Sequence, residues 1–254
     1  TLTRDITLNG SGASIRNGKL NGNLILGDGV SCTWPAGDLQ LNGWVVLGSD
    51  ATLDLGGKSI NAALLTAASS NIRNGTVSAS LKVADNVSYI WRSENLQVEG
   101  VVILGNNAAL DLGGHTLDNT VTLAGSASIG NGALNGALSV GRGNTLTLSG
   151  ILTGEGAVTL EDGSMMNLGG NLLSKGIYVA GSALMEGGTL NGAVAVGDGT
   201  GSLSLQRATI GENATFIMGN GAQLNLGGAA IGLYRVAFTG ESTAVDGGTL
   251  TVGS

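Results

Sequence analysis

The stretch AALDLGGHTLDN, residues 108–119, holds the single histidine of a 254-residue chain, close to a carboxylate and a glycine pair. Asp111 and His115 are residue types that can do general acid–base chemistry when they meet in a cleft. Other residues raise the same question. Glu161 and Asp162 are adjacent carboxylates, and glycoside hydrolysis needs two carboxylates roughly 5 to 9.5 Å apart. Gly-Asp-Gly occurs at 27–29 and at 197–199, a phrase that binds calcium when it recurs in tandem. Arg142 and Arg207 are candidate bases for a lyase, which also requires a carboxylate cluster to hold calcium.

What must position these residues is a repeat. LDLGG begins at Leu53 and at Leu110, MNLGG at Met166 and LNLGG at Leu224, with spacings of 57, 56 and 58 residues. A second phrase keeps the same period: IRNGKL at Ile15, IRNGTV at Ile72, IGNGAL at Ile129, MEGGTL at Met185 and VDGGTL at Val245. Each long period divides into three units of about 19 residues, so the chain carries about 13 short units.

Within a unit the apolar residues alternate, as at Val121 and Leu123, Leu146 and Leu148, and Leu203 and Leu205. Period 2 with one apolar face predicts strands, and no stretch carries a capped helical pattern. Strands this short, punctuated by Gly and Asn, pair best with the same strand of the unit above and below, which makes each unit one rung of a solenoid. Leu53, Leu110, Met166 and Leu224 are then expected in an interior column. Asn17, Asn74 and Asn131 are expected at corners, where asparagine tolerates the left-handed conformation.

The phrases LDLGGKSI, LDLGGHTL, NIRNGTV and SIRNGKL resemble the right-handed parallel β-helices of the pectate-lyase-like superfamily. They are similar in particular to the β-helical regions of bacteriophage tailspikes and tail fibres and of secreted bacterial adhesins. The resemblance covers nearly the whole chain. It implies an all-β, single-stranded right-handed parallel β-helix of about 13 rungs of ~19 residues, three rungs to each ~57-residue super-repeat, in one domain spanning 1–254. It also implies a structural or receptor-binding segment of a phage tail fibre or tailspike, on the virion tail. Such a segment is expected to be a homotrimer that engages a host surface glycan or protein receptor. The passenger of a secreted adhesin at the bacterial surface and a polysaccharide depolymerase are the alternatives. The pattern still runs at Thr1 and at Ser254, so the chain is expected to be a piece of a longer one or to abut another subunit.

Against this frame the chemical candidates weaken. Asp111 aligns with Asp54, Asn167 and Asn225, and His115 with Lys58, Asn171 and Ala229, which is the substitution pattern of a solvated outer face. Asp54 and Asp111 are expected three rungs apart, about 14 Å, too far to flank one glycosidic bond. The Gly-Asp-Gly phrases are isolated and read as corners. The Thr-x-Thr triplets at 1–3, 145–147 and 249–251 are scattered, whereas an ice-binding face requires stacking on successive rungs. The reading leans away from an enzyme and assigns no catalytic residue, metal or cofactor.

Composition narrows the partners. Glycine contributes 46 residues, charged residues 11% and aromatics 3%, yet 42% of the chain is hydrophobic, so it folds around small and medium side chains. A net charge of −7 without any Lys/Arg run excludes the concentrated positive footprint of a nucleic-acid binder. Gly, Asn, Asp or Thr interrupts every apolar run, so no membrane-inserting helix is expected. The single Cys32 excludes an internal disulfide.

Two stretches break the unit: SCTWPAGDLQL with Cys32, Trp34 and the only proline, and NVSYIWRSENLQVEG with Tyr89 and Trp91. Both fall on the same third rung of the long period. Either these large side chains fill a wider part of the core, or Trp34, Tyr89 and Trp91, joined by an outward Trp44, form an aromatic patch that stacks on sugar rings or anchors a partner.

Overall fold

A computed structural model describes residues 1–13, 17–34, 39–92, 95–228, 230–233, 235–238, 241, 243–247 and 249–252. It is a parallel β-solenoid, consistent with the expected right-handed parallel β-helix, and contains no helix among the described residues. The chain divides into two compact units, 1–115 and 116–254.

In the first unit one sheet stacks Ile6–Leu8, Leu24–Leu26, Val45–Leu47, Leu64–Thr66, Leu81–Val83 and Val102–Leu104, every neighbour parallel and in register. In the second unit the corresponding sheet stacks Val121–Leu123, Leu138–Val140, Val158–Leu160, Ile177–Val179, Ala193–Val196, Thr215–Met218 and Arg235–Phe238. Paired residues along these stacks lie 17 to 22 positions apart, one strand per rung of the short unit. The remaining strands of each rung pair in the same way. Ser31–Thr33, Thr52–Ile60 and Asn71–Val77 stack in the first unit, and Ser164–Asn167, Ser182–Leu190 and Ser202–Ile210 in the second.

Alternation within three-residue strands sends two side chains inward and one outward. Leu24 and Leu26, Val45 and Leu47, and Val102 and Leu104 are buried while Ile25, Val46 and Ile103 between them are partly exposed. Each fully buried aliphatic side chain contributes about 1.5–3 kcal/mol by removal from water. Stacking identical positions therefore supplies the core without large aromatics. Leu53 and Leu110 in the first unit, and Met166 and Leu224 in the second, are all buried, as the interior column requires. Asn74 and Asn131 adopt φ of 56° and 59°, the left-handed corner expected of them. Ile15 and Arg16, which open the first copy of the second phrase, and Pro35 lie outside the described residues.

Candidate functional site

The LGG phrase is a corner with a job of its own. Asp54 Oδ1 accepts the Gly56 N–H at 2.9 Å, Asp111 Oδ1 that of Gly113 at 2.8 Å, Asn167 Oδ1 that of Gly169 at 2.8 Å, and Asn225 Oδ1 that of Gly227 at 2.9 Å. This is an Asx turn, in which a side-chain oxygen takes the backbone N–H two residues on. Carboxylate and amide oxygens serve equally, which is why the column accepts both Asp and Asn. Both glycines that follow sit in the left-handed region, at 58° and 77° in the first copy and 58° and 81° in the second. The leucine between turn and glycines is buried in all four copies, so the corner is pinned from inside as well. His115 is exposed and its own N–H donates to the Leu112 carbonyl at 2.8 Å.

Asp54 is tied further to the next rung. Its Oδ2 accepts Arg73 Nε at 3.0 Å and Asn74 Nδ2 at 3.1 Å. The Gly56 N–H above all, then the Asn74 and Arg73 side chains, hold its carboxyl below the usual carboxylate range, despite an opposing effect of burial.

The remaining acidic candidates also act as fasteners between rungs. In the two Gly-Asp-Gly phrases, Asp28 Oδ1 accepts the Ser49 N–H at 2.8 Å and Asp198 Oδ1 that of Asn220 at 2.6 Å. Glu161 and Asp162 bond in opposite directions along the stack. Glu161 Oε2 accepts the Arg142 N–H at 3.2 Å, while Asp162 Oδ1 accepts the Ser182 N–H at 3.2 Å. Arg142 reaches Asp162 only at 3.9 Å, and Arg207, at a φ of 51°, donates to Glu186 at 2.8 Å. Among the described residues no three His, Cys, Asp or Glu side chains gather as metal ligands would.

The four aromatic candidates separate. Trp34, Tyr89 and Trp91 are buried, and Trp44 is 38% exposed. The backbone N–H of Trp34 donates to the Asp54 carbonyl at 2.6 Å and that of Trp91 to the Asp111 carbonyl at 2.7 Å, so both tryptophans sit directly beneath an LGG corner. Cys32 pairs in register with Leu53 and Tyr89 with Leu110, which places them in the interior column. Of the two readings of these stretches, the buried placement matches the one in which they fill the core. Of the four, Trp44 alone is exposed. Strand parity carries the signal: Trp34 follows inward Cys32 by two residues and Trp91 follows inward Tyr89 by two, whereas Trp44 immediately precedes inward Val45.

Three features escape sequence reasoning. On the outer face of the first unit, Thr7, Ile25, Val46, Leu65, Lys82 and Ile103 stand in one in-register column, flanked by Trp44. In the second unit Thr122, Ser139 and Thr159 stack on successive rungs, hydroxyls that no Thr-x-Thr triplet points to. An open groove of about 470 Å³ in the first unit is lined by Asn74, Thr76, Asn95 and Gln97 over a floor of Gly57 and Gly75.

Compared with known protein families, with curated proteins and with solved structures, the chain gives no match, and its placement rests on the fold itself, a parallel β-solenoid.

Proposed function

We propose that this chain is a shaft or receptor-engaging segment of a bacteriophage tail fibre or tailspike that contacts a host surface glycan or protein. The observation that carries the reading is the outward column in which Ile25, Val46 and Leu65 stack on successive rungs beside the exposed Trp44, with Lys82 and then Ile103 continuing it. A flat, partly exposed apolar face with an aromatic at its margin suits shallow contact with a sugar ring or a partner surface. The acidic side chains of Asp28, Asp111 and Asp162, by contrast, serve corners and rung-to-rung bonds. Weak contacts of this kind become firm when copies act together, since a second contact made by a tethered copy is effectively intramolecular. The assembly fitting that mechanism is a homotrimer.

The mass of the full chain in solution, by sedimentation equilibrium, tests the reading. Three copies per particle, stable on dilution, is the expected result. A single copy at every concentration overturns the tail-fibre assignment in favour of the adhesin passenger.

A further inference from the structure

Lys175 is a lysine sealed inside the second unit, 2% exposed, and among the described residues it has no counter-ion. It stands just before Gly176 and Ile177, in a corner position that is Gly136, Gly156 and Gly192 on other rungs. Small residues belong there: a Cβ at Gly156 would strike the Gly136 carbonyl, and one at Gly192 the Lys175 carbonyl. Lys175 instead runs its stem back along the stack. Its Nζ donates to the Thr153 carbonyl one rung away at 3.4 Å and to the Leu134 carbonyl two rungs away at 2.5 Å. One side chain thereby spans three rungs. Of the charged groups on the same corners, Asp118 accepts from Asn135 Nδ2 at 2.8 Å and Glu155 is exposed. Among the described residues no carboxylate pairs with Lys175.

We propose that Lys175 is a proton-linked joint of the solenoid: with its ammonium buried against two carbonyls and no carboxylate, the rungs from Leu134 to Ile177 open locally while the amine is charged and tighten when it gives up its proton. Burial costs the charged form more than two carbonyl bonds return. The amine is accordingly pushed down to about 8. The sign follows from linkage. An opened segment returns Lys175 to water and to an ordinary value near 10.5, so between these two values the open state binds more protons and rising pH favours the closed state. From pH 7 to pH 9 the opening constant falls about tenfold on these values.

Native-state hydrogen exchange on the full chain, corrected for intrinsic rates, reads this directly. Amides of Gly132–Leu134, Leu152–Thr153 and Leu172–Leu173 are expected to show the tenfold fall from pH 7 to 9, and those of Thr215–Met218 to show none. In Lys175→Met the dependence disappears. An equal change in both sets of amides, or its persistence in Lys175→Met, overturns the proposal. Should Lys175→Met fail to fold, the side-chain resonance of Lys175 in the unmodified chain decides: titration near 8 supports the joint, and titration near 10.5 refutes it.

Discussion

Asp111 Oδ1 accepts the N–H of Gly113, two residues further on, at 2.8 Å. The bond closes a corner that Asp54, Asn167 and Asn225 close in the same way, and it turns a residue that looks catalytic into a backbone acceptor. Asp111→Asn keeps an oxygen in place and is expected to leave stability within ~0.5 kcal/mol, whereas Asp111→Ala loses the bond and costs about 1 kcal/mol. Urea unfolding of the three chains checks this. A large loss in the asparagine variant would mean that charge, not acceptor geometry, holds the corner.

The glycines of the corner differ in what surrounds them. Gly114 has a φ of 81° and open space where a Cβ would sit, so Gly114→Ala pays only the left-handed conformation, about 1–2 kcal/mol. Gly169 has a φ of 58° and its Cβ would lie 2.5 Å from the Leu148 carbonyl oxygen, so Gly169→Ala adds a backbone clash to the same strain. Thermal melts should show the second substitution to be clearly the more damaging.

Ser164 is buried, and its hydroxyl lacks a hydrogen-bond partner. The equivalent positions are Ala51, Ala108 and Ala222, each buried and each donating its N–H to a carbonyl three residues back, as Ser164 does. Ser164→Ala restores the residue of the other repeats and removes an unpaired polar atom. It should stabilise the chain by about 1 kcal/mol, read as a higher midpoint in urea. Destabilisation would show that the hydroxyl bonds inside the folded chain.

Asp54 links stability to acid. Its folded-state carboxyl titrates below the ordinary 3.8, so its contribution is present above that value and is lost as pH falls through the lowered one. Asp54→Asn retains the Gly56 acceptor but removes the titration. The difference in unfolding free energy between Asp54→Asn and the parent should therefore shrink below pH 4, and a constant difference down to pH 2 would contradict the assignment.

Much of this fold is legible in the chain. The 57-residue period and the period-2 alternation mark strands, rungs and interior columns because burial repeats at the same phase in every turn. The substitution of Asp by Asn at 167 and 225 is enough to mark position 111 as tolerant, although the Asx bond behind that tolerance appears only in the folded chain. Lys175 was hidden because a lone lysine in LLSKGI reads as solvated. Only the stacking of Gly136 and Gly156 shows that its position belongs to a small-residue column. The outward column from Ile25 to Ile103 was hidden for a related reason: spacings from 17 to 21 residues between its members blur the register that aligns them.

Trp91 and Trp44 should respond unequally to the same change. Trp91 is buried beneath the Asp111 corner, and Trp91→Ser is expected to cost about 3–5 kcal/mol. Trp44→Ser removes a side chain that is 38% exposed and should cost well under half as much in the same urea series.

The receptor-engaging role is tested most directly by the retention of the full chain on immobilised bacterial O-polysaccharides and capsular polymers, alongside its Trp44→Ser and Asp111→Asn variants. Retention on at least one polymer, unchanged polymer length, an at least tenfold loss in Trp44→Ser and none in Asp111→Asn is the predicted result. Shortening of the polymer, or equal retention of the parent and Trp44→Ser, would contradict it.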